Sequence, residues 1–235
     1  MNQTFMNAPL RPSAHKHRGF TLVEVLTVIA IITILLAAGA IGVGNLNAGK
    51  GVTSAVATCE SLFEEARTIA VSKRCKARVM VDVNDKTSEN YLRKVLIIHE
   101  KINSDGTVTA GTWILANRGF EMPKGTYFSK LYSKKNSGNL DEGNMTMQTD
   151  SGKVLAAFTG NYAYYEFNAE GIFENAGSGF VVGSGVRPKG QEPKTTKGAA
   201  RDFAGFVVWR NGRTSTYSNP EQIPNLPDAA QPFNF

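Results

Sequence analysis

The sequence predicts an α+β chain in which one long N-terminal helix, first apolar and then amphipathic, packs on an antiparallel β-sheet head. Three observations carry this expectation. From Val25 to Gly49 there are 25 consecutive residues without a charge, enough for a helix to cross a hydrocarbon core that needs about 20. From Val52 onward apolar side chains recur at alternating spacings of four and three, the mark of one buried helical face. Beyond residue 76 only short strand-like runs remain, and a helix must then bury its stripe against a sheet. The length of 235 residues, with 42% hydrophobic and 20% charged, suits one membrane segment plus one modest globular domain and excludes disordered and collagen-like classes.

The first element is a basic stretch. Met1 to Gly19 contains Arg11, Lys16 and Arg18 and no acid; without them the balance of 26 basic against 20 acidic residues falls to 23 against 20. The net charge of +6 is therefore partly a property of a short segment and does not call for a nucleic-acid partner. Such a stretch stays on the cytoplasmic side and directs the downstream chain outward. Met6 is an alternative start that leaves everything downstream unchanged.

The second element, FTLVEVLTVIAIITILLAAGAIGV over residues 20–43, admits three readings. One is a cleavable secretory signal with Ala38-Gly39-Ala40 as the small-residue site, although the run exceeds the usual 7 to 15 residues. Another is an uncleaved signal anchor. Neither explains Glu24, since a carboxylate at the centre of a membrane helix costs about 2.5 to 3.5 kcal/mol, and less near the interface, unless it acquires a partner. The third reading supplies one. Cleavage between Gly19 and Phe20 creates an α-amino group four positions before Glu24, and among packed helices the amine of one chain can pair with the carboxylate of its neighbour.

Arg18-Gly19-Phe20-Thr21-Leu22-Val23-Glu24 followed by an apolar run closely resembles the prepilin N-terminus of type IV pilins and type II secretion pseudopilins. The resemblance implies a pilin-like fold and removal of residues 1–19 by a membrane aspartic prepilin peptidase. That enzyme is also the methyltransferase that modifies the Phe20 amine. Thr21 and Glu24 are then assembly residues. The implied partners are that peptidase, other pilins or pseudopilins in a helical filament, and an inner-membrane assembly platform. The chain is the substrate of this chemistry rather than its catalyst, anchored by one inner-membrane pass with its head in the periplasm.

The chain accordingly divides into a 1–19 leader, a 20–43 transmembrane helix, a 44–76 amphipathic helix, a 77–218 β-rich head and a 219–235 proline-rich tail. Glycines at 39, 42, 44, 49 and 51 cluster at the first helical boundary, each costing a helix interior about 1 kcal/mol relative to alanine. They mark either that boundary or a stretch able to melt. In the amphipathic part Val52, Val56, Cys59, Phe63, Ala66 and Ala70 form the stripe, with Leu62 and Ile69 widening it. Strands are expected over 77–83, 91–99, 112–115, 126–132, 153–158, 162–167, 179–182, 206–209 and 214–217. Asn103-Ser104-Asp105-Gly106 and Asn211-Gly212 read as turns.

Glu65-Ala66-Arg67 with Ala70 and Ala77-Arg78-Val79-Met80-Val81 resembles the helix-to-strand passage of H-type minor pseudopilins and related minor pilins. Phe167-Asn168-Ala169-Glu170-Gly171-Ile172-Phe173 is similar to a strand-turn segment of that group. Both favour a minor subunit.

Two loops are candidates for specificity. Residues 133–152 hold Asp141, Glu142 and Asp150 but lack the spacing of a calcium loop, so a solvated loop is expected. Residues 185–202 hold Arg187, Lys189, Lys194, Lys197 and Arg201 against Glu192 and Asp202. Such a loop is the basis for an alternative in which a minor pilin binds DNA or another ligand through its head, though no aromatics interleave for base stacking. A signal-anchored periplasmic enzyme is the remaining alternative. It is disfavoured because His15 and His17 lie in the leader, leaving His99 alone for catalysis, and because no Gly-x-Ser-x-Gly or metal motif occurs. No cofactor and no metal are expected. His99 reads as a plain surface or edge residue. Cys59 and Cys75, about 24 Å apart along one helix, read as separate thiols, since a disulfide needs Cα atoms within about 7 Å. The tail, with prolines at 220, 224, 227 and 232, is expected to run extended, with Phe233 and Phe235 docked or, more commonly for a terminus, frayed.

Overall fold

The computed structural model describes residues 22–135, 138–195, 202–227 and 232–235, with the side chains of 34 and 36–50 outside that description. The chain divides into two compact units, Met1–Val43 and Gly44–Phe235. Helix α1 runs Leu22–Lys73. In the first unit its hydroxyls turn inward: Thr27 Oγ1 donates to the carbonyls of Val23 and Glu24 at 3.0 and 2.9 Å, and Thr33 Oγ1 to Ala30 at 2.8 Å. Threonines tied back to their own helix leave an apolar surface.

In the second unit the stripe is buried as the spacing predicts: Val52, Ala55, Val56, Cys59, Leu62, Phe63, Ala66 and Ala70 all lie in one core, with Ile69 at its margin. The helix ends in a Schellman-type cap. Arg74 takes a left-handed φ of 51°, and the Cys75 amide donates to the Ala70 carbonyl at 3.2 Å. Eleven strands follow among the described residues. They are β1 Ala77–Asp82, β2 Lys94–Ile102, β3 Val108–Leu115, β4 Phe120–Glu121, β5 Thr126–Phe128, β6 Asp141–Met145, β7 Met147–Gln148, β8 Gly160–Phe167, β9 Ser178–Ser184, β10 Phe203–Val208 and β11 Thr214–Thr216. The larger sheet has the order β6-β8-β1-β2-β3-β7, with β4 on β2; the smaller has β11-β10-β9-β5. All pairings are antiparallel except β3 with β7.

Phe63 joins the helix to both sheets. Its ring meets Tyr165 and Phe167 of β8, Phe180 of β9 and Phe206 of β10 edge-on, with centroids 5.0 to 6.2 Å away. A second cluster fills the opposite face of the larger sheet, where Met80, Leu96 and Ile98 pack with Trp113, Met145, Met147 and Tyr162. The Arg78 guanidinium lies 4.1 Å from the rings of Trp113 and Tyr164 and pairs with Glu166. A third cluster covers the outer face of the smaller sheet with Tyr132, Val181, Phe203, Ile223 and Phe235.

Several expectations require correction. Residues 153–158 form no strand: Leu155 N donates to Met147 O at 2.8 Å and Ala156–Phe158 closes a 3-10 turn over the sheet face. Residues 133–152 are not merely a solvated loop, since β6 and β7 fall inside it. Strand β2 begins at Lys94 rather than residue 91 because Leu92 has a positive φ of 58°. Strand β5 stops at Phe128, where Ser133 N donates to Ser129 O in a turn. His99 is 3% exposed, in a strand flanked by β1 and β3, and is neither a surface nor an edge residue. Phe233 and Phe235 are not frayed; they pack on Phe203 with centroids 5.7 and 4.8 Å away.

Candidate assembly segment and head surface

The described start of α1 presents apolar side chains on every side. From Leu22, 77% exposed, to Ile32, 47% exposed, every large apolar side chain among the described residues is exposed. A helix apolar all round requires lipid or other helices about it. Among the described residues no helix is long and apolar enough to cross a membrane; the uncharged run from Val25 to Gly49 continues past the described side chains. Glu24 stands in the first turn of α1, where the amide ends of the helix favour an anion. The cleavage residues Gly19 and Phe20, the assembly residue Thr21 and the leader charges Arg11, Lys16 and Arg18 lie outside the described residues.

The basic loop does not gather its charges. Arg187 donates to the main-chain carbonyls of Lys86 and Ser88, and its guanidinium lies 5.5 and 5.9 Å from the Tyr91 and Tyr127 rings. Glu192 pairs with Lys86 at 2.6 Å and accepts from Tyr91 Oη at 2.9 Å. These two residues fasten the loop to the 86–91 turn. Lys194 joins Val186 through two main-chain bonds of 2.9 Å, leaving its side chain exposed, as is that of Lys189. Lys197 and Arg201 lie outside the described residues.

Two further arrangements have no signature in the sequence. Arg67 threads between two turns made by Gly171 at φ +74° and Gly212 at φ +76°; a Cβ on Gly171 would stand 2.6 Å from Val71 Cγ2, and one on Gly212 2.8 Å from Arg67 Nε. The turn dipeptides signal themselves, but not the side chain they enclose. At the end of α1, Lys73 Nζ lies 2.8 Å from His99 Nε2, and His99 Nδ1 lies 2.7 Å from the Glu100 carbonyl. A carbonyl only accepts, so Nδ1 carries the proton and Nε2 accepts from the ammonium. Burial first, and then the Lys73 charge, hold the imidazole pKa below its ordinary value, against the Glu100 carbonyl bond and Asp150, which raise it. Cys59 and Cys75 are free and buried, and burial pushes both thiols up. No group of three or more His, Cys, Asp or Glu side chains placed to hold a metal ion occurs among the described residues.

Comparison with known proteins places a family signature on the N-terminus. Residues 14–40 match the prokaryotic N-terminal methylation motif. Among solved structures the chain is similar to the type IV minor pilin FimU of Pseudomonas aeruginosa strain PAO1, at 12% identity and a TM-score of 0.38, covering 74% of this chain and 93% of that one. It is also similar to the minor pseudopilin EpsH from the type II secretion system of Vibrio cholerae, at 13% identity and a TM-score of 0.36, covering 72% of this chain and 95% of that one. No match was found among curated proteins.

Proposed function

We propose that this chain is a structural, non-catalytic pilin or pseudopilin, a minor subunit of a type IV pilus-like or type II secretion filament. The observation that carries the proposal is the methylation motif over residues 14–40, within which Gly19, Phe20 and Glu24 stand at the positions the chemistry requires. A prepilin peptidase removes residues 1–19 on the cytoplasmic face and methylates the new Phe20 amine. Loss of the charged leader also removes the polar cap that holds the helix in the inner membrane. In the filament the Phe20 amine of one subunit meets Glu24 of another, and the apolar side chains from Leu22 onward pack against neighbouring helices. The head faces the periplasm. The exposure of every described apolar side chain at the start of α1 supports this reading, because such a surface is stable only when covered. The DNA-binding alternative loses ground, since Arg187 is already committed to carbonyl oxygens within the head.

The test is the intact mass and N-terminal sequence of the protein extracted from the membranes of its host. A chain beginning at N-methylated Phe20 is the expected result. One beginning at Ile41 indicates an ordinary secreted protein, and one beginning at Met1 or Met6 a signal anchor; either overturns the proposal.

A further inference from the structure

A cavity of about 450 Å³ opens between the segment after β5, the start of β9, the end of β11 and the turn at Pro224 and Asn225. Small-molecule sites span about 300–1,000 Å³. Its walls are fixed by the fold. Gly179 N donates to Lys134 O at 3.0 Å, Val181 N to Ser133 Oγ at 2.8 Å, and Tyr165 Oη to Gly179 O at 2.8 Å. Gly179 keeps one wall bare, since a Cβ there would stand 3.2 Å from the Tyr217 hydroxyl. Asn225 is held at a left-handed φ of 62° at the rim, a conformation costing most residues about 1 to 2 kcal/mol and asparagine less.

Five polar side chains line this cavity without a hydrogen-bond or ion-pair partner among the described residues: Tyr132, Tyr217, Lys134, Asn139 and Asn225. Tyr132 is only 5% exposed, so its ring is held in the wall while its hydroxyl is left to the cavity. Burial alone pushes both phenols up. Lys135 is neutralised by Asp141, so the charge left over is that of Lys134.

We propose that this cavity binds an acidic saccharide. A sugar carboxylate would meet Lys134, the one ammonium of the wall that has no carboxylate beside it among the described residues. Phenols and carboxamides both donate and accept, as do the vicinal hydroxyls of a sugar ring. An acidic peptide would use the charge but offers one main-chain N–H per residue, spaced along its chain, whereas each hydroxyl of a sugar ring both donates and accepts, as the four phenol and carboxamide groups do. This proposal does not depend on the assembly role and stands or falls separately from it.

The test uses the full-length protein in a detergent without a sugar headgroup, titrated calorimetrically with trigalacturonate. Maltotriose and triglutamate serve as the neutral and peptidic comparisons. Saturable binding of trigalacturonate is expected, at least tenfold tighter than either. Lys134→Ala and Tyr217→Phe should each weaken it about tenfold while leaving the thermal midpoint within a few degrees. No saturable binding, or binding indifferent to both substitutions, overturns the proposal. Equal binding of maltotriose refutes its acidic part, and equal binding of triglutamate its saccharide part.

Discussion

Replacing Phe63 by alanine removes the side chain that joins helix α1 to both sheets, and the structure bounds the cost. The ring is fully buried and meets four aromatic rings edge-on. Phenylalanine-to-alanine changes in cores cost about 3–5 kcal/mol, the higher values belonging to sites that cannot collapse. This site belongs among them. Its neighbours Tyr165, Phe180 and Phe206 stand on paired strands, and Phe180 and Phe206 already stack on each other at 5.1 Å, so neither can lean into the hole. A loss of about 4–5 kcal/mol is expected, whereas Phe63→Leu, which keeps most of the volume and forfeits the ring contacts, should cost about 1–2 kcal/mol. Guanidinium unfolding of the full-length protein in detergent, followed through the fluorescence of Trp113 and Trp209, should shift its midpoint down by about 1 M for the alanine variant. A loss under about 2 kcal/mol, or leucine as damaging as alanine, would show that the two sheets hold together without this joint.

The same geometry sets three further outcomes. Glu24→Ala should leave processing after Gly19 intact while abolishing incorporation into filaments, read by mass spectrometry and by immunoblotting of sheared filaments; normal incorporation would refute the amine pairing. His99 is held neutral in the fold, so between about pH 6.5 and its lowered folded pKa the unfolded chain binds a proton that the native one does not. Stability is complete above pH 6.5 and falls as pH drops, by at most about 1.4 kcal/mol per pH unit. Buried Asp82 and Asp202, whose pKa values burial raises, act in the opposite sense above pH 3.8, so the histidine is read from the difference between the native protein and His99→Gln, whose melts between pH 7 and 5.5 should have the flatter slope. A variant with an unchanged slope would place the titration elsewhere. Gly205→Ala should destabilise the smaller sheet by about 3 kcal/mol or more, since a Cβ there would strike the Phe180 carbonyl, which belongs to the main chain and cannot swing aside; a thermal midpoint within a degree or two of the native one would count against that packing.

The features legible in the sequence are those set by which side of each element meets water. The stripe from Val52 to Ala70 has one solvated face, so its spacing names the buried residues one by one. Strands β1 and β2 are buried on both faces, and Val95-Leu96-Ile97-Ile98 accordingly reads as a continuous apolar run that fixes a strand but not its neighbours. Placing His99 at an edge failed for that reason, because the covering of its strand by β3 depends on pairings that no local pattern encodes. Strands β6 and β7 stayed hidden for the opposite reason. Asp141-Glu142-Gly143-Asn144-Met145 is an edge strand with mostly polar side chains, and only Met145 turns toward the second core. Both edges of the larger sheet matter to the rest of the molecule, since Met145 of β6 and Met147 of β7 pack from its two ends into the cluster that holds Trp113 and Tyr162.

The candidate sites divide along the same line. Gly19, Phe20 and Glu24 lie within six consecutive residues, and chemistry written so compactly survives in a linear string. Tyr132, Lys134, Asn139, Tyr217 and Asn225 come from three separate stretches of chain and have no motif between them. Each is unremarkable alone, a polar residue in or beside a turn. They become a site only when β9 holds the 133–134 segment, Gly179 N donating to the Lys134 carbonyl and Val181 N to the Ser133 hydroxyl, and so brings it opposite Tyr217. Assembly and recognition would then rest on different physics within one chain. The first depends on an uncovered apolar helix with a local carboxylate, and the second on polar groups that the fold gathers and leaves unpaired.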